Sequence, residues 1–274
     1  MATPLKFGDV LGETFQRFFG NFRAFADLSL IPMIMTAAIT AAPRIVLGNE
    51  MPLGYSLGVV MLLDLVPTSM FLIGWYRLML LGPGSVARVP GTAWTAREKR
   101  LAGHTIWIFG LPAVLMAISA AHMPTGPTEM PPPGSKELPP GMATMAVLAL
   151  PTMVTLLIGL RASFGLAACA VDAAPWSPRL AWTYSRGARA ATMGALFLLF
   201  VVGTMAAFTI YAATSATITA AFGRPPSPGP EIVLQLAAAF AAYVKTALLA
   251  TGQAIVFREL AGFRAGMPLR PPPP

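Results

Sequence analysis

The chain has 274 residues, 55% of them hydrophobic and 11% charged. Soluble domains carry about 25% charged residues, so the deficit marks apolar surface meant for lipid and excludes an ordinary soluble domain. The net charge of +8 is therefore read as charge sorted across a membrane, with no nucleic-acid partner expected. The single cysteine, Cys169, excludes an intramolecular disulfide and a cysteine-based metal cluster. It lies in GLAACAV and reads as a small packing residue.

The first element is KFGDVLGETFQRFFGNF, residues 6–22. Phe7, Leu11, Phe15, Phe18, Phe19 and Phe22 share one helical face, and Asp9, Glu13, Gln16, Arg17 and Asn21 share the other. This pattern predicts an amphipathic helix lying in the membrane interface. The apolar run that follows begins near Phe25, too far along for a secretory signal. The N-terminus is expected to be retained.

About six transmembrane helices follow, at about 24–46, 56–81, 102–122, 144–168, 192–220 and 232–257. Each is long enough to cross a hydrocarbon core, which takes roughly 20 helical residues. Residues 138–160 and 190–223 carry no charge. The whole chain, 1–274, is expected to form one all-α polytopic membrane bundle. Pro32, Pro67, Pro112 and Pro151 fall inside four spans, where kinks are expected. The fifth and sixth spans are rich in small residues and are expected to pack closely.

The segments between spans alternate in charge. One side of the membrane collects 15 of the 19 basic residues, and the other holds Arg44, Lys136 and Arg224, with Lys245 inside the sixth span. The positive-inside rule then puts both termini in the cytoplasm. The opposite side carries the proline-rich loop 122–142 and the shorter RPPSPGPE, both expected to be extended connectors. The C-terminal RPPPP is expected to fray.

A unit recurs. TAWTAREKRLAGH precedes the third span and SPRLAWTYSRGARA the fifth, each a further interfacial element entering an apolar run. The even-numbered spans end as GWYRLMLLG, IGLRASFGL and IVFRELAG. Arg77, Arg161 and Arg258 thus stand as anchors at the cytoplasmic boundary. The chain reads as three copies of interfacial helix, span, loop, span and arginine, all in the same topological sense.

Chemical motifs are sparse. No phosphate-binding GxxxxGK[ST], HExxH, G-x-S-x-G or cysteine–histidine metal spacing occurs. His104 and His122 lie 18 residues apart, about 27 Å along one helix, too far to share a metal. The carboxylates are mostly in loops, with no catalytic pair at one level. The expectation is no enzyme activity and no cofactor.

Four polar residues stand at membrane depth: Asp64, Gln235, Lys245 and Gln253. A lone lysine there costs about 2.5–3.5 kcal/mol on insertion scales, so a partner is expected. Asp64 and Lys245 enter from the same face and differ by roughly 7 Å in depth. The lysine leans toward its helix N-terminus, and hence toward Asp64. An intramembrane Asp64–Lys245 ion pair is the expected arrangement. The alternatives are a snorkelling lysine, or polar groups lining a proton or solute path.

The opening FGDVLGETFQRFFGNFRAFADLSLIP resembles that of bacterial six-span inner-membrane proteins, among them the membrane domain attached to some glycerophosphodiester phosphodiesterases. Gly8, Leu11, Glu13, Thr14, Phe15, Phe18, Asn21 and Phe22 match the family pattern G-x-x-L-x-E-T-F-x-x-F-x-x-N-F. VDAAPWSPRLAWTYSRGARA is a second echo. Together these cover under a quarter of the chain. The catalytic domain of that family is absent, so the resemblance implies a fold and a bacterial inner-membrane location without hydrolase activity. The first functional expectation is an accessory or assembly subunit binding membrane lipid, another membrane complex or a second copy. The alternative is a small-solute or lipid transporter using Asp64 and Lys245. A third is a pigment-associated subunit using His104 or His122. An internal cavity at the depth of Asp64 or Lys245 separates the transporter from the subunit.

Overall fold

In hydrocarbon every backbone N–H and C=O must be paired within its own segment, so apolar runs of this length fold as helices. The computed structural model describes residues 6–47, 53–86, 95–121, 159–162, 164–173, 177, 181–183, 185, 190–222, 228–267 and 269, and among these no strand occurs. The helices are α1 (Phe7–Gly20), α2 (Phe22–Leu47), α3 (Leu53–Leu81), α4 (Ala96–Ala121), α5 (Ala190–Phe222) and α6 (Pro228–Leu260). Shorter helical stretches cover 159–162 and 164–170.

Among the described residues, four helical segments are long and apolar enough to cross a membrane: Phe22–Ala42, Val59–Leu81, Thr192–Ala221 and Gly229–Leu260. They coincide with the first, second, fifth and sixth expected spans. The third expected span coincides with α4, which starts at Ala96 and so joins its interfacial segment without a break. Most of the fourth span, with Pro151, the 122–142 loop and the C-terminal RPPPP, lies outside the described residues. The helices α2, α3 and α4 each continue through their prolines, Pro32, Pro67 and Pro112. The expected connector 224–231 is shorter than its proline content suggests, because α6 already begins at Pro228. Proline is tolerated in a first helical turn, where its missing N–H has no partner to lose.

Asn21 separates α1 from α2, with φ −115° and ψ 23°, and its Nδ2 donates to the Arg17 carbonyl at 2.8 Å. After α3, Gly82 takes φ +89°, a conformation glycine adopts without strain.

The helices α3 and α6 form the centre, with α2 against both, α4 against α3, α5 against α6, and α1 lying across α5 and α6. Where α1, α2, α3 and α6 meet, an aromatic cluster fills the core. Phe18 and Phe25 stand edge-on at 5.4 Å, Phe71 and Trp75 stack at 5.7 Å, and Phe71 meets Tyr243 at 5.1 Å. The outer face of α5 is open, with Met205 and Phe208 exposed, as suits a helix facing lipid acyl chains.

Candidate functional site

Two tryptophan and tyrosine contacts fix the register of α3 on α6. Trp75 Nε1 donates to the Ala247 carbonyl at 3.1 Å and to Thr251 Oγ1 at 2.9 Å. Tyr76 Oη donates to Gln253 Oε1 at 2.6 Å. The partners of these two side chains are 176 and 177 residues away in sequence and advance together, so the two helices run parallel with a local offset near 177. On that offset Lys245 stands level with Thr68, one turn or about 6 Å from Asp64 in depth.

On the α2 side, Asp64 is held by hydroxyls. Thr36 Oγ1 donates to Asp64 Oδ1, and Thr68 Oγ1 donates to Asp64 Oδ2 at 3.4 Å. Tyr243 Oη lies 3.0 Å from Thr36 Oγ1. Since the Thr36 proton is committed to Asp64, Tyr243 is the donor in that contact. Three helices are thus joined by a relay from Tyr243 through Thr36 to Asp64.

The expected Asp64–Lys245 ion pair is not formed: none of the ion pairs among the described residues joins them. The reason lies in α5. Gly203 leaves a notch against α6, where an added Cβ would sit 2.9 Å from Lys245 Cγ and 3.2 Å from its Cα. The lysine stem fills that notch, and Nζ stands 5.7 Å from the ring centre of Phe200. Phe200 lies three residues nearer the α5 N-terminus than Gly203, so the ammonium is carried away from Asp64. A second close approach, Gly252 against Leu199, confirms the tight α5–α6 packing.

Asp64 and Lys245 nonetheless line the same cavity, of about 310 Å³. It runs between α3 and α6 and is bounded by Phe109 of α4, Leu166 and Phe200 of α5. Its length follows the helices from Ala242 to Gln253, about 16 Å. Leu72 and Leu249 make the wall between apolar. Thr246 also faces it, but its hydroxyl is bound to the Ala242 carbonyl at 2.8 Å. Gln235 stands apart, bonded to Glu231 Oε1 at 2.7 Å near the start of α6.

The three anchor arginines share the other end of the bundle and each has a defined partner. Arg77 donates to the Ser85 carbonyl at 3.0 Å and the Ala170 carbonyl at 3.3 Å. Arg161 lies over the Trp182 ring at 4.3 Å. Arg258 pairs with Glu13 at 2.8 Å. The last two contacts join the end of one repeating unit to the interfacial element of another. Arg17 pairs with the same Glu13 oxygen at 2.8 Å and also caps the Met79 carbonyl near the end of α3, at 3.3 Å.

The interfacial helix packs on the bundle through one edge of its apolar face, with Phe18 shared between that edge and the expected face. The buried positions are Val10, Thr14 and Phe18, one per turn. Phe7, Phe19 and Phe22 are exposed, while Leu11 and Phe15 are half-buried. The apolar face is split because one edge packs on α5 and α6 and the other is left for lipid.

Sequence reasoning found Asp64, Lys245 and Gln253 but missed Thr36, Tyr243 and Gly203. A tyrosine two residues from a buried lysine was the only local signal. Compared with known proteins, the chain matches no family model, no curated protein and no solved structure.

Proposed function

We propose that this chain is a non-enzymatic membrane protein that binds, and carries across the bilayer, a small amphipathic molecule. The observation that carries the reading is the cavity of about 310 Å³ at the depth of Asp64 and Lys245. Its volume falls at the lower end of ligand sites, and mostly apolar walls with a few placed polar groups are typical of them. A buried charge pair in a purely structural role would be expected to neutralise itself; here the two charges are held apart and both border the cavity. The cavity therefore favours the transporter over the accessory subunit.

The proposed setting is a bacterial inner membrane with both termini cytoplasmic. Its support is the 15 basic residues gathered at one side and the resemblance of α1 to the membrane domain of glycerophosphodiester phosphodiesterases.

The test is access. In a Cys169→Ala background, Thr246→Cys should react with a small, charged methanethiosulfonate reagent, whereas Ala250→Cys, buried in the core, should not. Reaction of Thr246→Cys should be blocked by the bulky Leu249→Trp. If Thr246→Cys reacts no faster than Ala250→Cys, the reading fails.

A further inference from the structure

We infer that the cavity selects molecules carrying an oxyanion, a carboxylate or a phosphate, on an apolar body, with Lys245 as the recognition group. The inference rests on the proposed reading of the cavity as a ligand site and names its ligand class.

The argument is an inventory of hydrogen-bonding capacity around the cavity. Thr68 is spent on Asp64, Thr246 on its own helix, Tyr243 on Thr36 and Tyr76 on Gln253. The Asp64 carboxylate already accepts from two hydroxyls, one on each oxygen. The Gln253 amide keeps its Nε2 donors at the far end of the cavity, but these are neutral. Lys245 is different. Its ammonium has three donors, and among the described residues its one defined contact is the Phe200 ring face. A cation facing a ring in a low-dielectric setting gains some stabilisation but keeps its hydrogen bonds unmade. The cavity therefore offers unsatisfied donors at a positive centre. From there the apolar wall of Leu249, Leu72 and Leu166 runs on toward Gln253, where it can receive a chain. A cationic amphiphile would repel the ammonium, and a neutral one would accept its hydrogen bonds without balancing its charge.

A single-chain anion from water and an anionic phospholipid from the bilayer share this chemistry. Photolabelling distinguishes them. The full chain in phosphatidylcholine nanodiscs would be irradiated with a diazirine-bearing fatty acid or with the fatty alcohol of equal length, and the labelled sites mapped by mass spectrometry. The acid should label cavity residues with an advantage of about tenfold or more over the alcohol. Lys245→Met should remove that advantage, while Lys245→Arg, which keeps charge and donors, should retain it. Phosphatidic acid in the nanodisc should displace the acid if the occupant is a lipid, and should leave it bound if the occupant is a single-chain anion; either result requires the oxyanion site.

Equal labelling of the cavity by acid and alcohol would overturn the inference and leave the cavity reading standing. So would an advantage that survives Lys245→Met. Labelling confined to the lipid-facing surface for both probes would overturn the cavity reading as well.

Discussion

Tyr243 on α6 and Thr36 on α2 stand 3.0 Å apart, oxygen to oxygen, and the threonine hydroxyl in turn donates a hydrogen bond to Asp64 of α3. One methyl-bearing hydroxyl thus ties three helices together inside the membrane. Thr36→Val keeps the shape and removes the hydroxyl. It should cost about 1–3 kcal/mol, the range for leaving buried polar partners unsatisfied. Thr36→Ser should retain most of the stability. Thermal unfolding in detergent reads the difference; equal midpoints for the valine and serine variants would sink the relay.

Asp64 should couple to Thr36 more strongly than to Lys245, since it bonds the first and not the second. Double-mutant cycles combining Asp64→Asn with Thr36→Val or with Lys245→Gln compare the two directly. Coupling of contacting residues runs to about 0.5–3 kcal/mol. A larger coupling for Asp64 with Lys245 would restore the ion pair expected from sequence.

Gly203→Ala should destabilise by about 1–3 kcal/mol, the usual cost of overpacking. The new methyl meets the Lys245 backbone at 3.2 Å, which cannot rotate away. At Gly252 the nearest atom is a leucine methyl, Leu199 Cδ1, at 2.6 Å. Gly252→Ala should therefore be partly rescued by Leu199→Ala, whereas Lys245→Ala should relieve Gly203→Ala less, because the backbone contact remains. Melting temperatures of the four variants settle this.

Glu13→Gln should change overall stability little. Partly exposed ion pairs contribute about 0–1 kcal/mol, and Glu13, Arg17 and Arg258 are all partly exposed. Its effect should be local instead. Hydrogen exchange across 7–20 should quicken while the core of α6 stays protected. Unchanged exchange in α1 would show that Val10, Thr14 and Phe18 alone hold that helix.

How much was legible in advance follows from the solvent. Apolar length reveals a span because lipid demands it, so α2, α3, α5 and α6 were readable from composition. The arginines at 77, 161 and 258 were readable because charge marks a boundary. Which face of a span meets protein was not readable, because lipid and helix neighbours are equally apolar. Thr36 therefore looked like any other residue of α2, and Gly203 like one small residue among many. The same blindness hides which part of the Phe7–Phe22 face on α1 meets protein, because amphipathicity separates water from oil but cannot separate oil from protein. The ion pair failed for a related reason: depth is computable from residue counts, but azimuth is not. Lys245 lies at nearly the right level and points to the wrong neighbour.

The contacts of Trp75 and Tyr76 with α6 have a mechanical consequence. Bonds from two successive α3 residues to Ala247, Thr251 and Gln253 along α6 resist both sliding and separation, so α3 and α6 behave as a single strut through the bilayer. Among the described residues, the cavity lies along one flank of that strut, bordered also by Phe109 of α4, Phe200 of α5 and Leu166. Its side away from the strut is thus built from separate helices, and on α5 the close approach of Gly203 to Lys245 fixes where that wall stands. Lys245 thereby both borders the cavity and sets the spacing of α5 from the strut.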